Sequence, residues 1–225
     1  MKFIVIEGLD ASGKSTQLDL LQRYLKDSKV SFKYLHFPRT DAPVYGELVA
    51  RFLRGEFGKI NSVNPYLVAL LYAGDRKDAS DLIQSWLKQN YLVIADRYVH
   101  SNIAFQCAKI NSKKEREALK DWINYFEYYY NKIPKPDLSL FLDVPFEFTV
   151  KRLRQGRKGS DRKYLKGQKD IHEHDLEFQK RVRDMYLWLV KEDPDFKLVS
   201  CKDENNKMLP PESIFQRILN NLKID

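Results

Sequence analysis

The sequence predicts an α/β protein, a five-stranded parallel sheet flanked by helices in three layers, as one domain over residues 1–225. Three observations predict it. Apolar, β-branched runs recur at Phe3–Ile6, Phe32–Phe37, Tyr91–Ala95, Leu138–Leu142 and Phe196–Val199, and helical patterns separate them. Runs such as Leu92-Val93-Ile94-Ala95 show no polar alternation, as strands covered on both faces require. Finally, Gly8-Leu9-Asp10-Ala11-Ser12-Gly13-Lys14-Ser15 fits G-x-x-x-x-G-K-[ST] between a strand and an amphipathic stretch, where that pattern has physical meaning.

Taken in order, the first strand runs into the glycine loop and then into a helix over Ser15–Lys26. That geometry aims backbone N–H groups and a helix N-terminus at phosphates. The second strand ends at Phe37-Pro38-Arg39, before helical patterns at Pro43–Leu53 and Pro65–Gln89. The third ends in Asp96-Arg97-Tyr98 and leads to helices over Val99–Ala108 and Glu115–Tyr129. The fourth precedes a helix at Pro145–Arg154, while His174–Glu192 and Pro211–Leu222 flank the fifth. No repeat or low-complexity linker interrupts the series. Ligands of such sheets bind beyond the carboxyl ends of the strands, so the residues just after each strand carry the functional reading.

Bulk properties narrow the class. The apolar share of 43% excludes a disordered chain. Cys107 and Cys201 are two and far apart, so neither a disulfide framework nor a metal-ligand cluster is expected. No apolar run approaches the ~20 residues that span a bilayer, and a core strand at the N-terminus does not read as a signal peptide. A reduced, cytoplasmic enzyme without a membrane partner is the expectation. The formal charge is +8, and the segment Lys151–Lys169 alone, with nine Lys/Arg and the single acid Asp161, accounts for that excess. A general nucleic-acid surface would spread charge over several elements; here it is concentrated in one stretch, so no nucleic-acid partner is expected.

The strand ends carry the chemistry. In the loop, Gly8 through Thr16 would cradle a nucleotide's phosphates, with Lys14 reaching the β- and γ-phosphates and Ser15 reaching Mg²⁺. Asp96 closes an apolar strand as a metal-holding acid does, or caps the helix after it. Arg39 and Arg97 leave neighbouring strand ends, and two guanidinium forks there suggest a second phosphate; surface ion pairs are the ordinary alternative. Ser101, Asn102 and Phe105 share a helix face with Tyr98, where an amide suits a base edge and Phe105 an apolar wall; a mixed, semi-buried face with the amide bonded to backbone is the ordinary alternative. Tyr72 and Arg76 lie one helical turn apart and could stack on a base and bond its carbonyl, or simply pair with each other. Asp10 repels anions unless compensated, by a hydroxyl of a second substrate or by backbone amides of its own loop. The stretch from Arg154 to about residue 172, with Gly156, Gly159 and Gly167, reads as a mobile lid whose arginines Arg154, Arg157 or Arg162 could supply transition-state charge; a solvated loop is the ordinary reading of such a charge run, and its place after the helix leaving the fourth strand favours the lid.

These strings together, FIVIEGLDASGKSTQ, FPR, LLYAGDR, VIADRYVHSNIAFQ, PDLSLFLDVP and the basic stretch ending in KDIHEHD, resemble the thymidylate kinase family from Phe3 to about Leu222. The resemblance implies a P-loop kinase fold and transfer of the γ-phosphoryl group of ATP to dTMP, with Mg²⁺. It also implies that Tyr72 stacks on thymine, and that Arg76 and Asn102 bond the base. By the same resemblance Phe105 crowds the sugar 2′ position, Arg39 and Arg97 hold the acceptor phosphate, and Asp10 meets the 3′-hydroxyl. A homodimer is a further implication. Ala11 stands where some members carry a loop arginine, so the chain resembles the subtype whose lid supplies it. His172 stands where some relatives have tyrosine. The rival readings are a deoxynucleoside kinase, which needs a carboxylate base near the sugar, and a nucleic-acid-stimulated P-loop ATPase.

Overall fold

The structure is a computed structural model describing residues 2–155, 160–167, 170–173 and 175–222, with backbone alone at 160–162. Five strands, β1 (Phe3–Glu7), β2 (Phe32–His36), β3 (Leu92–Asp96), β4 (Leu138–Asp143) and β5 (Phe196–Ser200), form one sheet in the order β2-β3-β1-β4-β5. Every pairing is parallel. The α/β reading of the sequence therefore holds, with each expected strand recovered to within about a residue of its bounds.

Period-two geometry divides the centre of the sheet between two cores. Phe3 and Val5 of β1 face a layer that contains α3 (Pro65–Lys88), α4 (Val99–Cys107), α5 (Lys113–Asn124) and α7 (Leu176–Glu192). Ile4 and Ile6 face α1 (Lys14–Asp27) and α8 (Pro211–Leu219), where Leu18, Leu21 and Leu25 meet Ile214, Phe215 and Ile218. Each such buried side chain contributes roughly 1.5–3 kcal/mol relative to exposure. Burial on both faces fails at the edges: β2 is only half covered and Leu198 of β5 is exposed, because an edge strand has one neighbour.

Two helical details bear on the site. All nine residues of α4 are buried, since it is wedged against α3, α5 and α7. The expected helix Glu115–Tyr129 instead starts at Lys113 and gives way after Asn124 to a π-helical turn, Tyr125–Tyr130, which turns Glu127 into the core. The chain also contains α2 (Tyr45–Leu53), α6 (Phe146–Arg154) and a 3₁₀ turn at Ser160–Leu165. The expected helix start at His174 lies outside the described residues.

Candidate active site

The carboxyl ends of β1, β2 and β3 open onto one cavity of about 1080 Å³. Its wall includes the loop from Asp10 to Thr16, both strand-end arginines, Tyr72, Arg76, Asp96, Ser101, Asn102, Phe105 and His172. Residues as far apart in sequence as 10 and 172 thus converge on one space, large enough for two small ligands by the usual size of such pockets, about 300–1,000 Å³.

The glycine loop takes the form its composition demands. Ala11 and Gly13 both have left-handed φ, 58° and 87°, and Gly13 is the N-cap of α1 with no side chain to occupy the anion's place. Lys14 is buried, its ammonium donating to the carbonyls of Gly8 and Leu9 at 3.3 and 3.0 Å. Ser15 and Thr16 are exposed on the cavity wall. Gly8 and Leu9 differ from the sequence reading: neither lines the cavity, and Leu9 sits in the core. They serve through carbonyls that hold Lys14.

The two arginines do share the cavity, but neither presents a bare fork. Arg39 donates through Nε and Nη2 to the side chain and carbonyl of Asp75, both at 2.8 Å, and Asp75 also accepts the Arg39 N–H. Arg97, in a left-handed conformation with φ 67°, donates to Asp10 at 2.7 Å and to the Gly8 carbonyl at 2.8 Å. The ion-pair alternative and the cavity-facing reading therefore coexist in the same side chains. Burial works against the Arg97 charge, yet Asp10, with Tyr186 and Asp96, holds it firmly protonated. Asp10 in turn accepts from Gln179 at 2.8 Å, so its charge is compensated from two elements remote in sequence.

At the other end of the cavity, Arg76 is fully buried and makes a two-pronged pair with Glu127, at 2.5 and 2.7 Å. Its aromatic neighbour is Tyr98 rather than Tyr72. The Asn102 amide donates to Glu127 at 2.9 Å and to the Ala69 carbonyl at 3.1 Å, leaving its Oδ1 buried with no partner among the described residues. Because a carboxylate accepts, the contact with Glu127 fixes which end of the amide is the donor, and so the amide's orientation. Tyr72 is half-buried on the same wall.

Tyr98 departs from the expected face. It precedes the first helical residue, so helical spacing does not govern it, and its ring packs between Phe3 and Phe37 instead. Ser101 lines the cavity, but its hydroxyl donates to Glu7 at 2.5 Å and sits 2.8 Å from the Tyr186 hydroxyl. Glu7 also accepts the Tyr98 and Ser101 N–H groups at 2.8 and 3.1 Å. It thus caps α4 from the end of β1, supplying what the N-cap side chain does not.

Asp96 has two different oxygens. Oδ2 lies 3.1 Å from Nδ1 of His36, while Oδ1 is buried with no partner among the described residues. Burial opposes its ionisation, but the His36 hydrogen bond and the charges of Lys14 and Arg97 hold the carboxyl below its ordinary range. An orphaned carboxylate oxygen, on a residue that lines the same cavity as Ser15, fits a Mg²⁺ ion that takes most of its ligands from phosphate and water. The described residues hold no cluster of three or more His, Cys, Asp or Glu suited to a metal, so an all-protein cage is not what they offer.

The segment that the sequence reads as a lid is partly described. Arg154 is exposed and lies in a separate groove with Phe146, Val150 and Lys151, whereas Arg152 and Gln155 reach the cavity. Helical rotation of about 100° per residue separates these faces. Arg157 and the Arg162 side chain lie outside the described residues. The segment is tied to α2 where the Arg54 guanidinium donates to the Tyr164 carbonyl at 2.7 Å and the Ile171 N–H to the Leu53 carbonyl at 3.0 Å. Near its end, burial, reinforced by Asp10 and Glu173, pushes Asp170 up to about 7. His172 is packed among Phe52, Phe105 and Phe178, and burial with the Lys109 charge drives it down to about 3.

Sequence reasoning missed Glu7, Asp75, Glu127, Gln179 and His36. An acid ending a buried strand was a readable signal for Glu7; the others are placed by contacts far apart in sequence.

Comparison with known proteins agrees with this geometry. The family model described as thymidylate kinase matches residues 6–209. A thymidylate kinase of Plasmodium falciparum is 31% identical over 192 residues, 85% of this chain and 79% of that protein. One from Mycobacterium tuberculosis is 34% identical over 187 residues, covering 83% and 85%. The solved thymidylate kinase of Candida albicans superposes with a TM-score of 0.70 at 26% identity, covering 98% of this chain and 90% of that one. Strand order, loop and cavity converge with these likenesses on one assignment: the chain belongs to the thymidylate kinase family.

Proposed function

We propose that this cavity transfers the γ-phosphoryl group of ATP to dTMP, giving dTDP and ADP, with Mg²⁺ between the donor phosphates and the protein. The observation that carries the acceptor's identity is Asn102, a residue of the cavity wall whose amide is locked by Glu127 and whose acceptor oxygen is buried without a partner among the described residues. Such an oxygen suits a pyrimidine with a protonated N3 and disfavours cytosine, whose N3 is itself an acceptor. Arg76 has Nε and Nη2 engaged by Glu127, leaving Nη1 for a base carbonyl. Tyr72 stacks on the base, Phe105 walls the sugar, and Asp10 takes its 3′-hydroxyl.

The acceptor phosphate is already an anion at neutral pH, so positioning and charge neutralisation do the catalytic work and no general base is required. Loop amides from Asp10 to Thr16 hold the donor phosphates and Lys14 reaches toward them. Arg39 and Arg97 grip the acceptor phosphate through the donors that Asp75 and Asp10 leave over, with Ser101 fixing Arg97 beside it. Ser15 and Asp96 would hold Mg²⁺, which when bound would supply neutralisation of phosphate charge. The basic stretch after α6 would act as the lid, from which an arginine would approach the transferred group. Two buried free cysteines suit a reducing, cytoplasmic setting. Leu67 and Leu82, exposed on α3, suit a homodimer, to be read by sedimentation. No described helix is long and apolar enough to cross a membrane.

A coupled ADP-release assay over a panel of nucleoside monophosphates tests the reading. Turnover with dTMP, weaker turnover with dCMP and none with thymidine are expected. Phosphorylation of thymidine but not dTMP would replace it with a deoxynucleoside kinase.

A further inference from the structure

We propose that His36 is a positioning residue for the Asp96 carboxylate, presenting its unpartnered oxygen to the nucleotide-bound magnesium; this rests on the metal reading above. Parallel register sets His36 directly beside Asp96, and the Phe37 N–H donates to the Asp96 carbonyl at 2.9 Å, so the two backbones are fixed together. The imidazole Nδ1, 3.1 Å from Oδ2, must carry the proton, because an ionised carboxylate only accepts. That contact is the one hydrogen bond the Asp96 side chain makes among the described residues. It holds one oxygen back and leaves the other, buried and unsatisfied, on the cavity wall with Ser15 and Lys14.

Without the imidazole, the carboxylate would have no side-chain anchor and would turn toward the Lys14 charge acting on it. Both groups would then be diverted from the phosphates. His36 itself is 48% exposed against 6% for Asp96, and it belongs to neither sheet core. Its substitution therefore leaves packing intact, which makes the role separable from folding. Partners that orient a metal-holding side chain typically cost about 10–100-fold in metal affinity or activity when removed.

The test compares wild type, His36→Phe and His36→Asn as full-length proteins. Calorimetry measures ADP binding with and without Mg²⁺, and steady-state assays measure the Mg²⁺ concentration giving half-maximal rate. In His36→Phe, ADP affinity without metal should be unchanged, while the strengthening by Mg²⁺ is lost and the half-maximal Mg²⁺ rises by about tenfold or more. His36→Asn, whose amide N–H reaches the same place as Nδ1, should restore both. A Mg²⁺ effect retained in His36→Phe, an equal loss with and without metal, or no rescue by asparagine overturns the role of His36 alone. Absence of any Mg²⁺ effect in wild type overturns the metal reading together with it.

Discussion

Lys14 illustrates how single residues are held ready for charge. Its ammonium rests on the Gly8 and Leu9 carbonyls, so a ligand phosphate meets a donor already at the loop. Lys14→Ala is expected to lower kcat by on the order of 10²–10³, the usual loss for one preorganised donor, with the circular dichroism spectrum unchanged. His172 makes a different prediction. Its pKa falls from about 6.5 unfolded to about 3 folded, so below 6.5 the unfolded chain binds a proton that the folded chain refuses. Stability from this group is therefore full above pH 6.5 and is lost as pH falls toward 3. His172→Phe keeps the aromatic contacts and removes that loss, so its denaturant midpoint should gain on wild type progressively between pH 6.5 and 4. A constant difference across that range would contradict the burial argument. Residue identities such as Arg39 and Arg97 were legible from strand ends, but Asp75, Asp10 and Gln179 as their partners were not, because those pairings exist only after the helices dock.

At the scale of elements, α4 depends on a carboxylate from another element. Glu7→Ala would leave the Tyr98 and Ser101 N–H groups and two hydroxyls without their acceptor. Unsatisfied buried groups cost about 1–3 kcal/mol each, so a loss of on the order of 3 kcal/mol or more in chemical unfolding is expected. The crossing of α2 and α3 makes a second prediction. A Cβ at Gly74 would lie 2.2 Å from the Tyr45 ring, so Gly74→Ala must displace that ring or the helix that carries it, and we expect α2 to move from α3. Asp75, one residue along, would carry Arg39 with it. We expect a several-fold higher KM for the acceptor with little change in the KM for ATP; equal changes in both would point to general damage instead. The glycine inside LLYAGDR was visible in the sequence, although its reason, a close helix crossing, was not. The π turn that brings in Glu127 left no sequence signal, since YFEYYY continues a helical pattern without a break.

For the whole molecule, the glycine loop and the wall formed by Tyr72, Arg76 and Asn102 line one continuous cavity, so the proposed donor and acceptor would lie in the same space. An adenosine and a thymidine joined by a phosphate chain should therefore bind more tightly than either ATP or dTMP alone, because the second contact becomes intramolecular. Calorimetry showing no gain over the separate nucleotides would place the two sites too far apart. The sheet and its strand-end site were readable because period and motif are local properties of the chain. The end of α6 was readable only as a charged stretch: Arg154 lies in a separate groove while Arg152 reaches the cavity, a rotation that composition does not encode. The Glu7 carboxylate joins β1, the start of α4 and Tyr186 of α7 in one cluster. Amide protons at the head of α4 and around Tyr186 should then exchange with deuterium at one shared rate, since no fluctuation can free one helix without loosening the other.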